Sequence, residues 1–262
     1  MRTIALANQK GGCSKTSTVV NLGAALSERG YKILVVDLDP QANATYWLGG
    51  PAVSKSALEF LTDNGATPVI EQTSVEDVFI VAGSSELSNY HEYVTNVRGA
   101  GVVLTENLFK LRADWDFILI DTPPTLGLIT ECVLSAAREL LVPVAMQTLS
   151  LDGVVKIINK IREMRKNNDT EIEILGLLAT RFDSRTNHSK EVIKLLTDYF
   201  GSQVFDTVIR ENICLAEAPS FKKSILSYAP KSNASTDFRA LATEVISRKA
   251  VNRGRYEISQ GK

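Results

Sequence analysis

The sequence predicts an α/β fold: a single doubly wound, mostly parallel sheet with helices on both faces. Two observations lead to this prediction. Short β-rich apolar runs alternate with segments of helical period along the whole chain, and the runs are almost continuously apolar. Strands of this kind are buried on both faces, as in parallel sheets covered by helices. The chain has 262 residues, 44% of them hydrophobic, which suffices for one large core.

The predicted elements follow one another in a regular order. The apolar runs span residues 3–7, 32–36, 78–82, 117–120, 140–145, 174–180 and 204–208. Helical segments are predicted from about Lys15, over 150–165 and over 187–200, and in a last stretch around Phe238. Residues 49–75 are the least regular and are interpreted as an excursion between two strands. No linker or repeat divides the chain, so we expect one domain over residues 1–250 and a polar C-terminal tail over 251–262.

The loop after the first predicted strand, residues 9–17, reads QKGGCSKTS. Gly11 and Gly12 let the backbone approach an anion closely, and successive N–H groups at a helix N-terminus bind it. Lys15 supplies a positive charge, and the Thr16 hydroxyl suits a magnesium ion. This loop therefore predicts a phosphate-binding site.

Two positions of this loop depart from the common pattern G-x-x-x-x-G-K-[ST]. Gln9 and Ser14 stand where that pattern has glycine. Ser14 keeps its backbone N–H, so the anion cradle survives. If the position requires a positive φ, however, we expect strain of about 1 kcal/mol or more.

Aspartates close two later predicted strands. KILVVDLDPQ ends its apolar run with Asp37 and Asp39, and DFILIDTPP ends its run with Asp121. Because ligands of such sheets bind beyond the carboxyl ends of the strands, these carboxylates should face the phosphate-binding loop. There they can hold the hydration shell of Mg²⁺ and orient a water for attack on a γ-phosphate.

Taken together, these motifs resemble a known family. KGGCSKTS, VVDLDPQANAT and DFILIDTPP are similar to the deviant Walker A, Walker A′ and Walker B motifs of the ParA/MinD ATPases, and most similar to the ParA/Soj branch. VPVAMQTLSLDG, RFDSRTNHS and AEAPSFKKSILSYAPKSNASTDFRALATEV extend the resemblance over nearly the whole chain. It implies a P-loop NTPase fold and an ATPase that uses ATP and Mg²⁺ and is slow without a partner.

The resemblance also assigns roles to residues. It implies an ATP-dependent homodimer in which Lys10 crosses the interface to the partner's phosphates, and in which Asp39 positions the hydrolytic water. Lys10, Lys15 and Asp39 are the implied catalytic residues. The implied metal residues are Thr16, Asp39 and Asp121, with Asp37 a weaker candidate. The implied nucleotide-binding residues are Lys10, Gly11, Gly12, Cys13, Ser14, Lys15, Thr16 and Ser17. Loops around Arg181 and residues 209–212 resemble the family's base pocket.

The charge distribution bears on the partner. The net charge is −1, but residues 181–262 hold 14 Lys/Arg against 9 Asp/Glu, which gives +5 there and −6 over residues 1–180. ParA-type members bind DNA without sequence preference through basic residues of this third. Arg185 matches a family arginine, whereas the family's N-V-R-L-S-E segment has Cys214 in place of its arginine. Arg210, Lys222 and Lys223 are further candidates for DNA contacts.

We therefore expect a partitioning ATPase of plasmids or chromosomes, cytoplasmic and nucleoid-associated, that is stimulated by a ParB-like protein. One alternative is a related ATPase that positions a protein assembly, such as a microcompartment or chemoreceptor cluster. Another is a metal-cluster carrier or reductase, against which the spacing of Cys13, Cys132 and Cys214 argues. Membrane attachment is not expected, because the last helix has ordinary core spacing and the tail is polar.

Overall fold

A computed structural model describes residues 1–51, 56–64, 67–94, 97–112, 114–147 and 151–248. Within these residues the strands form one seven-stranded sheet. They are β1 (Arg2–Leu6), β2 (Ile33–Asp37), β3 (Ile70–Gln72), β4 (Val78–Val81), β5 (Phe117–Asp121), β6 (Glu139–Ala145) and β7 (Glu173–Thr180). Six of the seven predicted strands are confirmed to within one or two residues at each end.

Helices connect the strands in the order that the sequence predicts. Those of the first half are α1 (Lys15–Ser27), α2 (Asn43–Trp47), α3 (Ser56–Thr62), α4 (Tyr90–Tyr93), α5 (Val97–Lys110) and α6 (Leu128–Ala136). Those of the second half are α7 (Asp152–Lys166), α8 (Asn187–Phe200), α9 (Ile213–Glu217), α10 (Ile225–Tyr228) and α11 (Asn233–Ser247). None of the described helices is both long and apolar enough to cross a membrane.

The sheet has the strand order β3-β4-β2-β5-β1-β6-β7. All neighbours are parallel except β3 and β4, which are antiparallel. In this register Asp121 at the end of β5 lies level with Leu6 of β1 and with Asp37 of β2. The carboxyl ends of three adjacent strands therefore meet at one edge.

Each face of the sheet has its own hydrophobic core. Ile4 and Leu6 of β1 point to the core covered by α1, α2, α10 and α11, whereas Ala5 points to the core covered by α3, α5, α6, α7 and α8. Because successive strand residues point to opposite faces and both faces are covered, every position of β2 and β5 is buried. This explains the continuous apolar runs of the sequence and confirms the doubly wound fold.

The predicted strand over residues 204–208 is wrong. This segment makes an isolated bridge from Val204 to Leu177 and donates a hydrogen bond from Phe205 N to the Leu177 carbonyl at 2.9 Å. Two of its next N–H groups, those of Asp206 and Thr207, donate to the Glu244 carboxylate of α11 at 2.9 Å. The side chain of a helix thus takes hydrogen bonds that a strand ladder would otherwise provide.

The interpretation of residues 49–75 as an irregular excursion is also wrong in part. The segment contains α3 and the short antiparallel edge strand β3. A three-residue strand gives too short a pattern for its period to be seen in the sequence. The predicted tail over 251–262 lies outside the described residues.

Candidate nucleotide-binding site

The glycine-rich loop runs from the end of β1 into α1, which begins at Lys15. Two of its residues lie in the left-handed region: Gly12 has φ 73° and Ser14 has φ 70° and ψ 29°. The position of Ser14 therefore does require a positive φ, so the expected strain is present. A non-glycine residue held in this conformation at a ligand loop needs the surrounding structure to fix it.

Hydrogen bonds at Lys15 and Cys13 hold the loop to its surroundings. Lys15 is 7% exposed, and its Nζ donates to the Asn8 carbonyl at 3.4 Å. Cys13 is buried, and burial raises the pKa of its thiol. The Thr180 hydroxyl at the end of β7 donates to the Cys13 carbonyl at 3.2 Å. The loop is thus tied to the neighbouring strand ends, with the Lys15 ammonium held inside.

Asp37 and Asp39 have different surroundings although they are two residues apart. Asp37 is fully buried and accepts hydrogen bonds from the backbone and hydroxyl of Thr45, at 2.8 and 2.7 Å. Burial raises its pKa to about 6. Asp39 lines the cleft beside the loop, and its Oδ1 accepts from Gln41 N at 3.0 Å. Asp37 therefore fixes α2 behind the site, while Asp39 faces the space that a ligand would enter.

Asp121 is fully buried opposite Thr16. The Thr16 hydroxyl donates to its Oδ2 at 2.7 Å, while its Oδ1 has no hydrogen-bond partner among the described residues. Burial, and then the nearby charge of Asp37, raise the pKa of Asp121 well above its ordinary value. A buried carboxylate oxygen without a partner is costly unless a cation or its water shell satisfies it.

Thr16 and Asp121 fit Mg²⁺, which prefers oxygen ligands and keeps several waters. Among the described residues no group of three or more His, Cys, Asp or Glu side chains is placed to hold a metal alone. This agrees with the usual mode of magnesium binding, in which one or two carboxylates act together with nucleotide phosphates. When bound there, Mg²⁺ would neutralise phosphate charge.

The phosphate-binding loop and Asp39 line a cleft of about 430 Å³, within the size range of small-ligand pockets. We call its first side the inner wall, formed by residues 11–17 together with Asp39, Gln41 and Asn43. The facing side, the outer wall, is formed by Arg181, Ile209, Arg210, Glu211, Asn212, Leu215 and Ala216. The loops that resemble the family's base pocket thus lie across the cleft from the phosphate-binding loop.

Side-chain contacts connect the outer wall to other parts of the chain. The Arg181 guanidinium lies 3.6 Å from Glu211 Oε1, which also accepts from Gln147 Nε2 at 2.7 Å. Arg181 has φ 53°, and its guanidinium would lie 4.0 Å from a Cβ placed on Gly12. Sequence reasoning placed Glu211 in the base-pocket loop but missed Gln147, and no motif or spacing marks the bond between them, because it depends on the fold.

The comparisons with known proteins agree with this geometry. The family model described as AAA domain matches residues 1–174. The chain is 36% identical over 247 residues to the sporulation initiation inhibitor protein Soj of Bacillus subtilis (strain 168), covering 93% of this chain and 98% of that protein. It is 37% identical over 249 residues to the chromosome-partitioning ATPase Soj of Thermus thermophilus, covering 95% and 96%. The chain belongs to the ParA/MinD family, in its Soj/ParA branch.

A solved structure with bound nucleotide and magnesium indicates which ligands this Soj/ParA member binds. The crystal structure of cobyrinic acid a,c-diamide synthase from Mycobacterium smegmatis, with bound ATP analogue and magnesium, is 31% identical with a TM-score of 0.79. The match covers 93% of each chain. This chain, as a member of the Soj/ParA branch, is a ParA-type ATPase, and ATP and Mg²⁺ are its cofactors.

Lys10 and Lys15 have different surroundings in the Soj-type loop. Lys15 is buried and lines the cleft, whereas Lys10 is exposed and borders a small cavity shared with Asn8 and Gly153. The backbone N–H of Lys10 donates to Asn8 Oδ1 at 3.3 Å. Among the described residues, Lys10 is thus not one of those that line the chain's own cleft.

The four candidate DNA contacts have different surroundings. The Arg185 side chain is 88% exposed and pairs with Asp183 at 2.8 Å, an interaction that lowers the pKa of Asp183 to about 2. Arg210 lies in the outer wall, and its guanidinium binds Asp237. These contacts favour Arg185 over Arg210 as a residue available to another molecule.

Lys222 and Lys223 form an exposed turn beside α2. The Lys222 ammonium lies 5.6 Å from the centre of the Tyr46 ring, and the Lys223 carbonyl accepts from Trp47 Nε1 at 2.7 Å. The backbone of this turn is thus bound to α2, the helix that follows Asp39. Its two ammonium groups lie at the surface.

Proposed function

We propose that this protein is a partitioning ATPase of DNA that dimerises when it binds ATP, binds DNA without sequence preference and is stimulated by a ParB-like partner. In this proposal it acts in the cytoplasm on nucleoid DNA. The likeness to Soj proteins over more than nine tenths of the chain supports it. The observation that carries it is that Lys15 lines the cleft, whereas Lys10 of the same phosphate-binding loop is exposed and does not line it.

The inner wall supplies the groups that hydrolysis needs. In the proposed mechanism Lys15 and the loop N–H groups hold the phosphates, and Thr16 and Asp121 hold the metal. Asp39 orients the attacking water, because it lines the cleft and its carboxylate is anchored by Gln41 N. Phosphoryl transfer of this kind depends chiefly on positioning and charge rather than on covalent chemistry by the protein.

In this proposal Lys10 acts on a second subunit. It is exposed and does not line the chain's own cleft. A cation supplied in trans stabilises phosphate charge in the transition state, an effect worth roughly 10³ to 10⁵ in rate for arginine fingers. The same contact would make dimerisation depend on ATP, because two facing sets of phosphates need additional positive charge.

The dimer can be tested by size-exclusion chromatography with ATP in an Asp39→Ala background, in which hydrolysis should be slow. Adding Lys10→Ala should preserve nucleotide binding by the monomer but abolish the dimer peak. Lys166→Ala, which removes an exposed lysine at the end of α7, is the matched control and should leave the peak unchanged. An unchanged dimer in the Lys10 variant would contradict the role in trans.

DNA binding rests on the distribution of charge. One monomer carries a net charge of +5 over residues 181–262, and a dimer places two such regions together. If the dimer makes about 6 to 8 phosphate contacts, its affinity for DNA should fall by roughly 10³ to 10⁵ when the salt concentration rises from 50 to 200 mM. Binding should therefore require ATP, ignore sequence and weaken steeply as salt rises.

A salt titration on two unrelated duplexes, with ATP and with ADP, tests this mechanism. Arg185→Ala should lower the salt slope by up to ~2 per dimer, since one phosphate contact is lost per subunit. Asp183→Asn should strengthen binding, because it frees the Arg185 guanidinium from its present partner. Arg112→Ala, outside the basic region, is the control. Equal affinity for DNA with ATP and with ADP, or a strong preference for one duplex, would contradict ATP-dependent, non-specific DNA binding.

A further inference from the structure

Asp237 of α11 holds both the backbone and the side chain of one outer-wall residue. Its Oδ2 accepts from Arg210 N at 3.0 Å and from Arg210 Nε at 3.0 Å. Its Oδ1 accepts from Arg210 Nε at 3.1 Å and from the terminal guanidinium nitrogen. Asp237 is 7% exposed, so its carboxylate is almost withdrawn from water and bound to a single partner residue. Charge-assisted, bidentate bonds of this type are among the stronger ones in proteins.

Arg210 lies in a part of the outer wall that is joined to β7 and the residues after it by isolated bridges rather than by a continuous strand. Ile209 N donates to the Ala179 carbonyl at 2.8 Å, Phe182 N donates to the Ile209 carbonyl at 3.1 Å, and Glu211 N donates to the Phe182 carbonyl at 3.0 Å. The Arg210 N–H takes no part in these bonds and donates to Asp237 instead. The backbone of the outer wall is therefore also bound to α11 at this residue.

Glu244 makes a similar contact about two turns of helix further along α11 from Asp237. Its carboxylate accepts from Asp206 N and Thr207 N at 2.9 Å. The cleft is lined by Ile209 and Arg210 and not by these two residues. One helix thus holds one segment at two points, and one of these points is in the wall of the nucleotide cleft.

We propose that Asp237 is a positioning residue for nucleotide binding. By fixing the Arg210 peptide and guanidinium it keeps the outer wall in the shape that receives the nucleotide. The groups proposed for hydrolysis, Lys15 and Asp39, are on the inner wall, across the cleft from Arg210, so the loss of Asp237 should weaken nucleotide binding rather than slow the hydrolysis of bound ATP. This inference concerns the monomer's cleft and goes beyond the proposed dimer and DNA activities.

The test compares Asp237→Asn with Glu244→Gln in the full chain. Each change removes the charge of a carboxylate on α11 that holds the same segment, so both should lower the melting temperature. Asp237→Asn should weaken equilibrium binding of a fluorescent ATP analogue about tenfold and raise KM for ATP by the same factor, with kcat within about twofold. Glu244→Gln should leave binding and KM unchanged.

A second variant keeps the test decisive if Asp237→Asn does not fold. Asp237→Glu retains the charge but lengthens the side chain, so it should displace the wall and raise KM by less than the Asn change. Unchanged binding and KM in a folded Asp237 variant would overturn the proposal. Equal increases in KM for the Asp237 and Glu244 variants would also overturn it, because they would indicate general loosening of the segment.

Discussion

The two walls of the cleft are built in different ways. The inner wall stands on β1, β2 and β5, which are adjacent in the sheet, so backbone ladders fix where Thr16, Asp39 and Asp121 meet. The outer wall has only isolated bridges to β7 and the residues after it, and side chains from elsewhere in the chain, those of Asp237 and Gln147, also hold it. Strand ends thus carry the groups suited to chemistry, while a segment without a continuous ladder supplies the opposite surface. A substitution in the inner wall should therefore change hydrolysis, and one in the outer wall should change nucleotide binding, each without the other.

The walls nevertheless share one property, which is strained backbone. Ser14 and Ala42 on the inner side and Arg181 on the outer side all have positive φ, at 70°, 50° and 53°. Non-glycine residues in this region cost about 1 to 2 kcal/mol each unless their surroundings offset the cost. Both walls therefore hold conformations that the isolated loop sequences would not favour.

The largest expected effect breaks the inner wall alone. Asp39→Ala should slow ATP hydrolysis by about 10² or more, because a group that positions or activates the attacking water typically contributes 10² to 10⁴. Binding should persist, since Lys15 and the loop N–H groups remain. Single-turnover kinetics together with equilibrium nucleotide binding would separate the two quantities. Hydrolysis at the wild-type rate in the Asp39 variant would contradict the proposed role of Asp39. Lys15→Ala should instead bind ATP more weakly.

An intermediate effect concerns pH and arises at Asp37, which is buried behind the inner wall and holds α2. The pKa of Asp37 is raised from 3.8 to about 6 by burial, so the folded state holds this proton more tightly than the unfolded state. Its contribution to stability is complete below about pH 4 and is lost as the pH rises through 6. The shift of ~2 pKa units sets an upper limit of about 3 kcal/mol.

Urea unfolding of the nucleotide-free protein between pH 4.5 and 7.5 measures this contribution. Asp37→Asn cannot titrate, so its unfolding free energy should decline less steeply with rising pH than that of the wild type. Asp121 is shifted in the same direction and should leave a residual slope in the variant. Parallel curves for the two proteins would show that Asp37 does not carry the dependence.

The smallest expected effect tests the strain at Ser14. Ser14→Gly should stabilise the protein by about 1 kcal/mol, because glycine adopts φ 70° without a steric cost. For a chain of this size that is a rise of about 2 °C in the melting temperature. Asn168→Gly is the control: Asn168 also has positive φ, at 58°, but asparagine tolerates this region, so its gain should be near zero. Equal gains at both positions would indicate that the loop carries no special strain.

Predictability from the sequence follows the same division between the walls. The motifs predicted the inner wall because strand periodicity and strand-end aspartates are local signals. The contact of Asp237 with Arg210 joins residues 27 positions apart, and the bond of Gln147 to Glu211 joins residues 64 apart. Periodicity indicates which residues are buried but not which distant group a side chain reaches. The predicted strand over 204–208 is wrong for this reason: its composition is typical of a strand, but the N–H groups of Asp206 and Thr207 donate to a side chain of α11.

The hydrogen bond from the Trp47 indole to the Lys223 carbonyl gives the molecule an optical property. Indole emission depends on the polarity and hydrogen bonding around the ring, and this ring is buried on the helix that follows Asp39. The chain has two tryptophans, and the other, Trp115, lies before β5 at the opposite edge of the sheet, with the Lys32 ammonium 4.6 Å from its ring centre. A Trp115→Phe protein would therefore carry a single tryptophan, at the contact between α2 and the Lys223 turn. Its emission spectrum on selective excitation of tryptophan would report whether that contact persists as nucleotide is added.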